Sequence, residues 1–474
     1  MLKVLGKDFL IYGLSSSIGK FVALFLVPIY TRIFSPEDYG TIDLISTIVA
    51  VFTILGMLQL ESAVSRYYYN EKDEVNRNKM VSTALWAILT FSLFLFLILF
   101  VFSDFLSNIL FKSEKFSDII IIACVAIPLN NLSSLFTVIV RFRKKALHYL
   151  LFQVAQIGIS VGLTIFLVVY LHVGITGVFW GQLTGTAVSV IMMAIYLRKQ
   201  LFFIWNSIEL RKMLQFSLPL VPAVAGSWAN SYISRFVMLG YLSFNEIGLY
   251  AVALKISSVF QLIGTALRMA WGPFMWETYE NNPDHKNVFA KIQKDLSIFV
   301  LLTVILITLF SREIILIFTT VTYIDSARLI GPLSLSIAIS TVIMQITSLG
   351  PAITKKTKYN TLIYFYSLII NIVSLFILVP QFGLLGVALS MLLGNLTFLI
   401  IGWYNSERLY YIGFEKLPMI INISVVFVVI VLNLIFDIPV LFKLLLALLA
   451  FIYIMNKYIA MIKIFSFKKV LRAK

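Results

Sequence analysis

The sequence is poor in the residues that build most enzyme sites: its 474 residues include one cysteine, Cys124, and three histidines. A single cysteine excludes an intramolecular disulfide and a thiolate metal cluster. The histidines lie on separate connections, without the spacing of metal ligands. The pattern G-x-x-x-x-G-K-[ST] is missing as well, so ATP is not expected as the energy source. We therefore expect a protein that is not an enzyme and that has no cofactor and no metal site.

Charged residues are also scarce, at 13% of the chain, whereas hydrophobic residues make up 60%. Soluble domains carry about 25% charged residues, so this composition predicts an integral membrane protein. Apolar windows of about 20 residues, bounded by charges or turns, indicate helices that cross the bilayer. They predict an all-α fold with fourteen transmembrane helices, near residues 8–33, 41–66, 80–103, 117–140, 147–171, 174–197, 213–240, 247–276, 289–311, 326–350, 359–380, 383–404, 417–436 and 439–462.

The distribution of basic residues predicts the orientation of the chain. The net charge is +16, but the lysines and arginines form short runs between apolar segments, which argues against nucleic acid as a partner. Only four basic residues, Lys112, Lys115, Arg312 and Arg328, fall in the loops assigned to the outside. Under the positive-inside rule, both termini and the loop at 141–145 are therefore expected in the cytoplasm.

The chain also contains an internal repeat. The hexapeptide SPEDYG at 35–40 recurs as SFNEIG at 243–248, an offset of 208, and the pattern G-x-x-G-V at 174–178 recurs at 383–387, an offset of 209. Each copy holds an even number of predicted helices, so both enter the membrane in the same sense. This predicts two six-helix bundles related by a pseudo-two-fold axis along the membrane normal. The predicted domains are an N-terminal lobe, a C-terminal lobe and two additional helices, at residues 1–200, 209–408 and 415–465.

Lys20 places a positive charge in the first predicted helix. It lies twelve residues after Asp8, about 18 Å along a helix, near the midplane of a hydrocarbon core about 30 Å thick. An ammonium group at that depth normally faces a water-filled cavity or a partner. The alternative is that its long side chain reaches an interface as an anchor. On a helix, Lys20 shares one face with the small and polar residues Gly13, Ser16 and Ser17.

Four further basic residues are candidates for the same cavity: Arg66, Arg235, Lys255 and Arg268. With Lys20 they would form a basic lining that attracts an anionic head group. Lysine offers a compact charge, and arginine binds phosphate oxygens with two parallel donors. The alternative is that each residue anchors its helix at a membrane interface, which is the favoured interpretation for Arg66 beside the tyrosines at 67–69.

Two acidic residues of the second predicted helix, Asp43 and Glu61, are candidate sites for ion coupling. They are eighteen residues, or five helical turns, apart and so project from the same side of a continuous helix. A carboxylate on a cavity face can bind H⁺ or Na⁺ and couple transport to an ion gradient. Alternatively, Asp43 caps the turn after SPEDYG, and Glu61 pairs with a lysine or arginine near the inner surface.

The stretch TRIFSPEDYG at 31–40, the polar-faced first helix, the fourteen spans and the six-helix repeat together resemble the polysaccharide transporters. These belong to the multidrug/oligosaccharidyl-lipid/polysaccharide exporter superfamily, and the likeness is greatest to flippases of O-antigen repeat units. The resemblance covers the whole chain. It implies a V-shaped, two-lobed transporter of the bacterial inner membrane that moves an undecaprenyl-diphosphate-linked oligosaccharide from the cytoplasmic to the outer leaflet by alternating access. It also implies cationic cavity residues for the diphosphate. The expected partners, besides the bilayer, are a polysaccharide polymerase and a chain-length regulator.

Other functions are open at this point. A multidrug exporter of the same superfamily usually carries cationic cargo, which a basic lining argues against. An integral-membrane polysaccharide polymerase or glycosyltransferase would be equally apolar. Such enzymes normally need a sizeable outer loop, and the longest outer loops here hold about fifteen residues. A purely structural membrane protein would leave the basic residues within the spans unexplained.

Overall fold

A computed structural model of the protein describes residues 18–356, 358–436, 438–449 and 452. Within these residues the chain is helical and contains no strand, which confirms the all-α prediction. The chain divides into two compact units, Met1–Val252 with Leu368–Val387, and Ala253–Ser367 with Ala388–Lys474. The lobe boundaries near residues 200 and 209 stay a prediction. Gly13, Ser16, Ser17 and half of the last predicted span lie outside the described residues.

The first unit contains the helices up to residue 252 and the adjoining ends of two later helices. A single π-helical turn, Phe166–Tyr170, extends the eighth helix. The helices of this part are α1 (18–25), α2 (Val27–Ile33), α3 (Pro36–Met57), α4 (Leu60–Tyr67), α5 (Glu74–Val101), α6 (Ser103–Phe111), α7 (Ser117–Phe142), α8 (Ala146–Ile165), α9 (Ile175–Leu197), α10 (Ser207–Ser217), α11 (Val221–Tyr241) and α12 (Phe244–Ser257).

The second unit contains the remaining helices. Its core is formed by buried aliphatic and aromatic side chains, among them Phe260, Phe289 and Leu335. The helices of this part are α13 (Val259–Asn281), α14 (His285–Leu309), α15 (Ser311–Phe318), α16 (Ala327–Ala338), α17 (Met344–Thr347), α18 (Gly350–Ile353), α19 (Lys358–Phe382), α20 (Leu384–Leu409), α21 (Lys416–Ile435) and α22 (Val440–Leu449).

Eleven helical segments of the described chain are long and apolar enough to cross a membrane, and the protein is a multi-pass membrane protein. Three of the fourteen predicted spans have no counterpart among them. The first and the last, near 8–33 and 439–462, fall partly outside the described residues. The span near 213–240 corresponds to α11, whose serines, asparagine and arginine lower its mean hydropathy. The count of fourteen therefore stays a prediction.

The second predicted span, 41–66, is not one continuous helix. Helix α3 ends at Met57 and α4 begins at Leu60, because Leu58 and Gln59 have φ angles of 49° and 55°. This left-handed conformation costs about 1–2 kcal/mol for a residue other than glycine. Leucine and glutamine are therefore not residues from which a break in the helix is expected. Asp43 and Glu61 consequently lie on different helices, and their spacing of five turns does not place them on one face.

The two copies of the repeated hexapeptide begin their helices in the same way. Ser35 Oγ accepts a hydrogen bond from the Asp38 amide, and Asp38 Oδ2 accepts one from the Ser35 amide at 3.0 Å. Ser243 and Glu246 form the equivalent pair at the start of α12, with 2.9 Å from Ser243 N to Glu246 Oε2. Such capping boxes satisfy backbone donors at the start of a helix. The conserved spacing of serine and acid within the repeat is therefore explained by helix initiation.

The last glycines of the two copies, Gly40 and Gly248, bring α3 and α12 into backbone contact. A Cβ atom on Gly248 would overlap the Pro36 carbonyl oxygen, and one on Gly40 would overlap the Phe244 carbonyl oxygen. Only glycine permits so close an approach between two helices. The repeated motif thus packs against its own second copy within the first unit.

This contact predicts different effects on stability for two Gly→Ala variants. Gly248→Ala forces the backbones apart and is expected to lower the free energy of unfolding by about 1–3 kcal/mol, as overpacking does. Gly240→Ala is the matched control, because its Cβ meets no atom within 4 Å. It should be neutral or stabilise α11 by up to about 1 kcal/mol. Unfolding of the purified variants in detergent measures both; equal stabilities would contradict the contact.

Candidate functional site

An ion pair joins α3 to α11 within the first unit. Arg235 Nε donates a hydrogen bond to Asp43 Oδ2 at 3.0 Å, and the two side chains are 3% and 22% exposed. The Arg235 guanidinium also lies over the rings of Tyr232 and Tyr250, at 5.1 and 5.2 Å from their centroids. A charge buried to this extent normally has a charged partner. Asp43 supplies it here.

The structure places Asp43 beside Arg235 and not in the capping box at the start of α3. The acid of the capping box at the start of α3 is Asp38, which bonds Ser35, and α3 continues through Asp43 without a turn. Asp43 and Arg235 are 192 residues apart in sequence, so helical periodicity did not connect them. The available signal was that each is a charged residue within an apolar span, where opposite charges tend to pair.

The other predicted basic site residues lie on four different helices. Lys20 is exposed on α1. Arg66 is exposed at the end of α4, where Nη1 donates to Asn70 Oδ1 at 3.4 Å and the guanidinium lies 6.0 Å from the Tyr67 ring centroid. Lys255 is half-buried near the end of α12, and Arg268 is exposed on α13; both belong to the second unit. Their role in binding cargo stays a prediction.

Glu61 lies partly buried near the start of α4. The Arg141 guanidinium, at the end of α7, interacts electrostatically with its carboxylate. The pairing with a basic residue, which the sequence offered as the alternative to ion coupling, also stays a prediction. A role of Glu61 or Asp43 in coupling stays a prediction.

A cavity of about 630 Å³ opens within the first unit. Its walls come from α1, α3, α7, α8, α9 and α11, and Gly19, next to Lys20, is part of them. Among the described residues that line it there is no charged side chain. The polar and aromatic lining residues are Ser46, Thr53, Asn130, Gln156, Ser160, Gln182, Thr186, Phe179, Trp228 and Tyr232.

Two glycines of α9 set the position of the amide side chains in this cavity. A Cβ atom on Gly185 would lie 2.6 Å from the Gln156 carbonyl oxygen, and one on Gly181 would overlap Thr164 Oγ1. Helix α9 therefore lies directly against α8, and Gln156 Nε2 donates to Thr186 Oγ1 across the contact at 3.2 Å. The sequence analysis did not single out Gln156 or Gln182. Neutral amides within apolar spans are the signal that charge-based reasoning missed.

Comparison with solved structures identifies the fold. The lipid II flippase MurJ in its inward closed conformation has a TM-score of 0.74 at 15% identity, and the match covers 95% of this chain and 98% of that one. An inward-facing multidrug resistance MATE family transporter of the MOP superfamily has a TM-score of 0.69 at 15% identity, covering 83% of this chain and 95% of that one. At such identities the likeness establishes the fold alone.

Comparison with known sequences identifies the family. The succinoglycan biosynthesis transport protein ExoT of Rhizobium meliloti (strain 1021) is 25% identical over 257 residues, 52% of this chain and 49% of ExoT. The chain thus spans about half the length of this curated relative in the match. The family model described as polysaccharide biosynthesis protein matches residues 29–328, more than half of the chain. The resemblance predicted from the sequence is confirmed, and the chain belongs to the family of polysaccharide biosynthesis proteins.

Proposed function

We propose that this protein is a flippase that moves a polyprenyl-diphosphate-linked oligosaccharide from the cytoplasmic to the outer leaflet by alternating access. The cargo would be a repeat unit of O-antigen, capsule or a related surface polysaccharide. The proposal rests on one observation: the chain belongs to a family named for polysaccharide biosynthesis and shares its fold with a lipid II flippase. The relative named as a succinoglycan transport protein supports the same assignment.

The first unit offers the kinds of contact that such a cargo needs. A sugar cannot cross hydrocarbon unaided, because each hydroxyl that loses water without a new hydrogen bond costs several kcal/mol. The cavity offers amide and hydroxyl partners in place of water. The diphosphate needs a positive charge, and Lys20 on the helix that forms one wall is the first candidate, with Arg66, Arg235, Lys255 and Arg268 as the others. The prenyl tail remains in lipid.

Ion coupling belongs to the proposal as well. A proton or Na⁺ on Asp43 would neutralise the carboxylate that Arg235 Nε contacts at 3.0 Å. Because α3 and α11 also line the cavity, cargo and ion would then bind to the same pair of helices. Glu61, whose carboxylate interacts electrostatically with Arg141, is the second candidate. The protein would need no cofactor beyond the ion.

The proposed location is the bacterial inner membrane with both termini in the cytoplasm, from the asymmetry of basic residues. Single cysteines in a Cys124→Ala background test it at two exposed lysines. We expect an impermeant thiol reagent to label Lys115→Cys in intact cells and Lys145→Cys only after permeabilisation. Labelling of Lys145→Cys in intact cells would reverse the assigned topology.

Deletion of the gene in the native host tests the function. We expect loss of surface polysaccharide and accumulation of lipid-linked repeat units in the cytoplasmic leaflet, restored by the wild-type gene. Loss of a polymerase would instead leave single repeat units on the outer surface. Unchanged polysaccharide with increased sensitivity to cationic drugs would indicate a multidrug exporter and contradict the proposal. A polysaccharide polymerase and a chain-length regulator are the partners expected to act on the product.

A further inference from the structure

Three carboxamide side chains from three helices line the cavity of the first unit. Asn130 comes from α7, Gln156 from α8 and Gln182 from α9. Each carboxamide offers two N–H donors and a carbonyl acceptor. A sugar hydroxyl both donates and accepts, so amides match it in either role. The hydroxyls of Ser46 and Thr186 extend this set along the same walls.

The lining also argues against an ionic ligand in this cavity. No described lining residue is charged, and an isolated charge moved into such surroundings would lose hydration without a counter-charge. A neutral ligand rich in hydroxyls loses less, because the amides replace its water contacts. The diphosphate and the saccharide of one cargo molecule therefore require different surroundings.

Aromatic rings form the wall contributed by α11. Trp228 and Tyr232 stack with 5.2 Å between ring centroids and an interplanar angle of 15°, and both line the cavity. The face of an aromatic ring carries partial negative charge, which suits the positively polarised C–H face of a pyranose. A saccharide could thus contact rings with its apolar face and amides with its hydroxyl edge.

Two buried polar atoms of lining residues have no hydrogen-bond partner among the described residues, Thr53 Oγ1 and Trp228 Nε1. Buried polar groups are nearly always hydrogen-bonded, and an exception calls for a water, an ion or a ligand. Both atoms belong to residues that line this cavity, but protein covers the atoms themselves, so the evidence for a ligand is the lining and the volume of the cavity. Its volume of about 630 Å³ lies within the range of about 300–1,000 Å³ for small-molecule sites.

We infer that this cavity binds the neutral sugar residues of the cargo, through Asn130, Gln156 and Gln182 on one side and Trp228 and Tyr232 on the other. The inference rests on the proposed function and assigns the saccharide to a site separate from the cations. It makes the cavity the part of the protein that recognises the glycan, whereas the charged residues recognise the diphosphate common to all such lipids.

Binding of two lipids to the full chain in nanodiscs tests the inference. The probes are bare undecaprenyl diphosphate and the same lipid bearing the host repeat unit, extracted from a strain without this gene. We expect the glycosylated lipid to bind wild-type protein at least about tenfold more tightly. Asn130→Ala, Gln156→Ala and Gln182→Ala should each lower its affinity about five- to tenfold, the effect of one or two neutral hydrogen bonds. Affinity for the bare lipid should not change.

The controls separate this inference from folding and from the proposed function. Gln153→Ala removes an amide of the same helix α8 that does not line the cavity, and it should bind both lipids like wild type. Gln182 is exposed, so its truncation tests the site without disturbing the core. Equal wild-type affinity for both lipids, or variants that weaken both equally, would overturn the inference and leave the flippase proposal intact. Wild type that binds neither lipid would overturn both.

Discussion

Replacing Lys20 by alanine is expected to abolish surface polysaccharide while the amount of inserted protein stays at the wild-type level. The side chain is exposed on α1, and its neighbour Gly19 lines the cavity. A charge-assisted hydrogen bond to a phosphate contributes about 1.5–3 kcal/mol, so its loss should weaken cargo binding about 10- to 100-fold. Lys20→Arg keeps the charge and should retain part of the activity.

The readout for Lys20 is surface glycan per unit of inserted protein in a strain lacking the native gene. Lys72→Ala is the matched control, because it removes an exposed lysine in the connection between α4 and α5. This control should export normally. Normal glycan from Lys20→Ala would contradict the assignment of the diphosphate to this residue and favour the interfacial-anchor interpretation.

Asp43→Ala is expected to cause the largest loss of stability among single substitutions at charged residues. The substitution removes the carboxylate that pairs with Arg235, whose side chain is 3% exposed. Breaking a buried ion pair by removal of one partner costs about 3–5 kcal/mol, because the remaining charge stays buried. The rings of Tyr232 and Tyr250 would remain over the guanidinium, but a cation–π contact contributes only about 0.5–2 kcal/mol.

A double variant distinguishes the loss of the pair from the loss of packing. Asp43→Leu with Arg235→Met replaces both charges by apolar side chains, and such replacements are often neutral or stabilising. We expect the double variant to recover most of the stability that Asp43→Ala loses, measured by unfolding of purified protein in detergent. Asp43→Ala as stable as wild type, or a double variant less stable than the single one, would show that the ion pair does not stabilise α3 against α11.

The sequence predicted those features of the fold that depend on local or averaged properties. Apolar windows located the helices because each span must satisfy its backbone hydrogen bonds internally. The repeated SPEDYG and SFNEIG motifs indicated an internal repeat, and both copies form capping boxes, at Ser35 and Ser243. The break at Leu58 and Gln59 was not predictable, because leucine and glutamine both favour a right-handed helix and here adopt a left-handed conformation.

The candidate site depended on contacts between distant segments, which the sequence did not provide. Each charge was visible as an exception within an apolar span, but nothing indicated that Arg235 contacts Asp43 and not a ligand. The cavity was missed for a different reason. Asn130, Gln156 and Gln182 are single neutral amides in three predicted spans, and their convergence requires the close approach of α8 and α9 that Gly181 and Gly185 permit.

Translocation in proteoliposomes tests the central claim most directly. Purified protein is reconstituted with undecaprenyl-diphosphate-linked host repeat unit, and an impermeant glycosidase reports how much glycan becomes accessible from the outside over time. We expect the whole pool to become accessible with wild-type protein, faster under an H⁺ or Na⁺ gradient, and only the outer-leaflet fraction with Lys20→Ala. The same outer-leaflet fraction in wild-type and protein-free liposomes, with or without a gradient, would contradict the account.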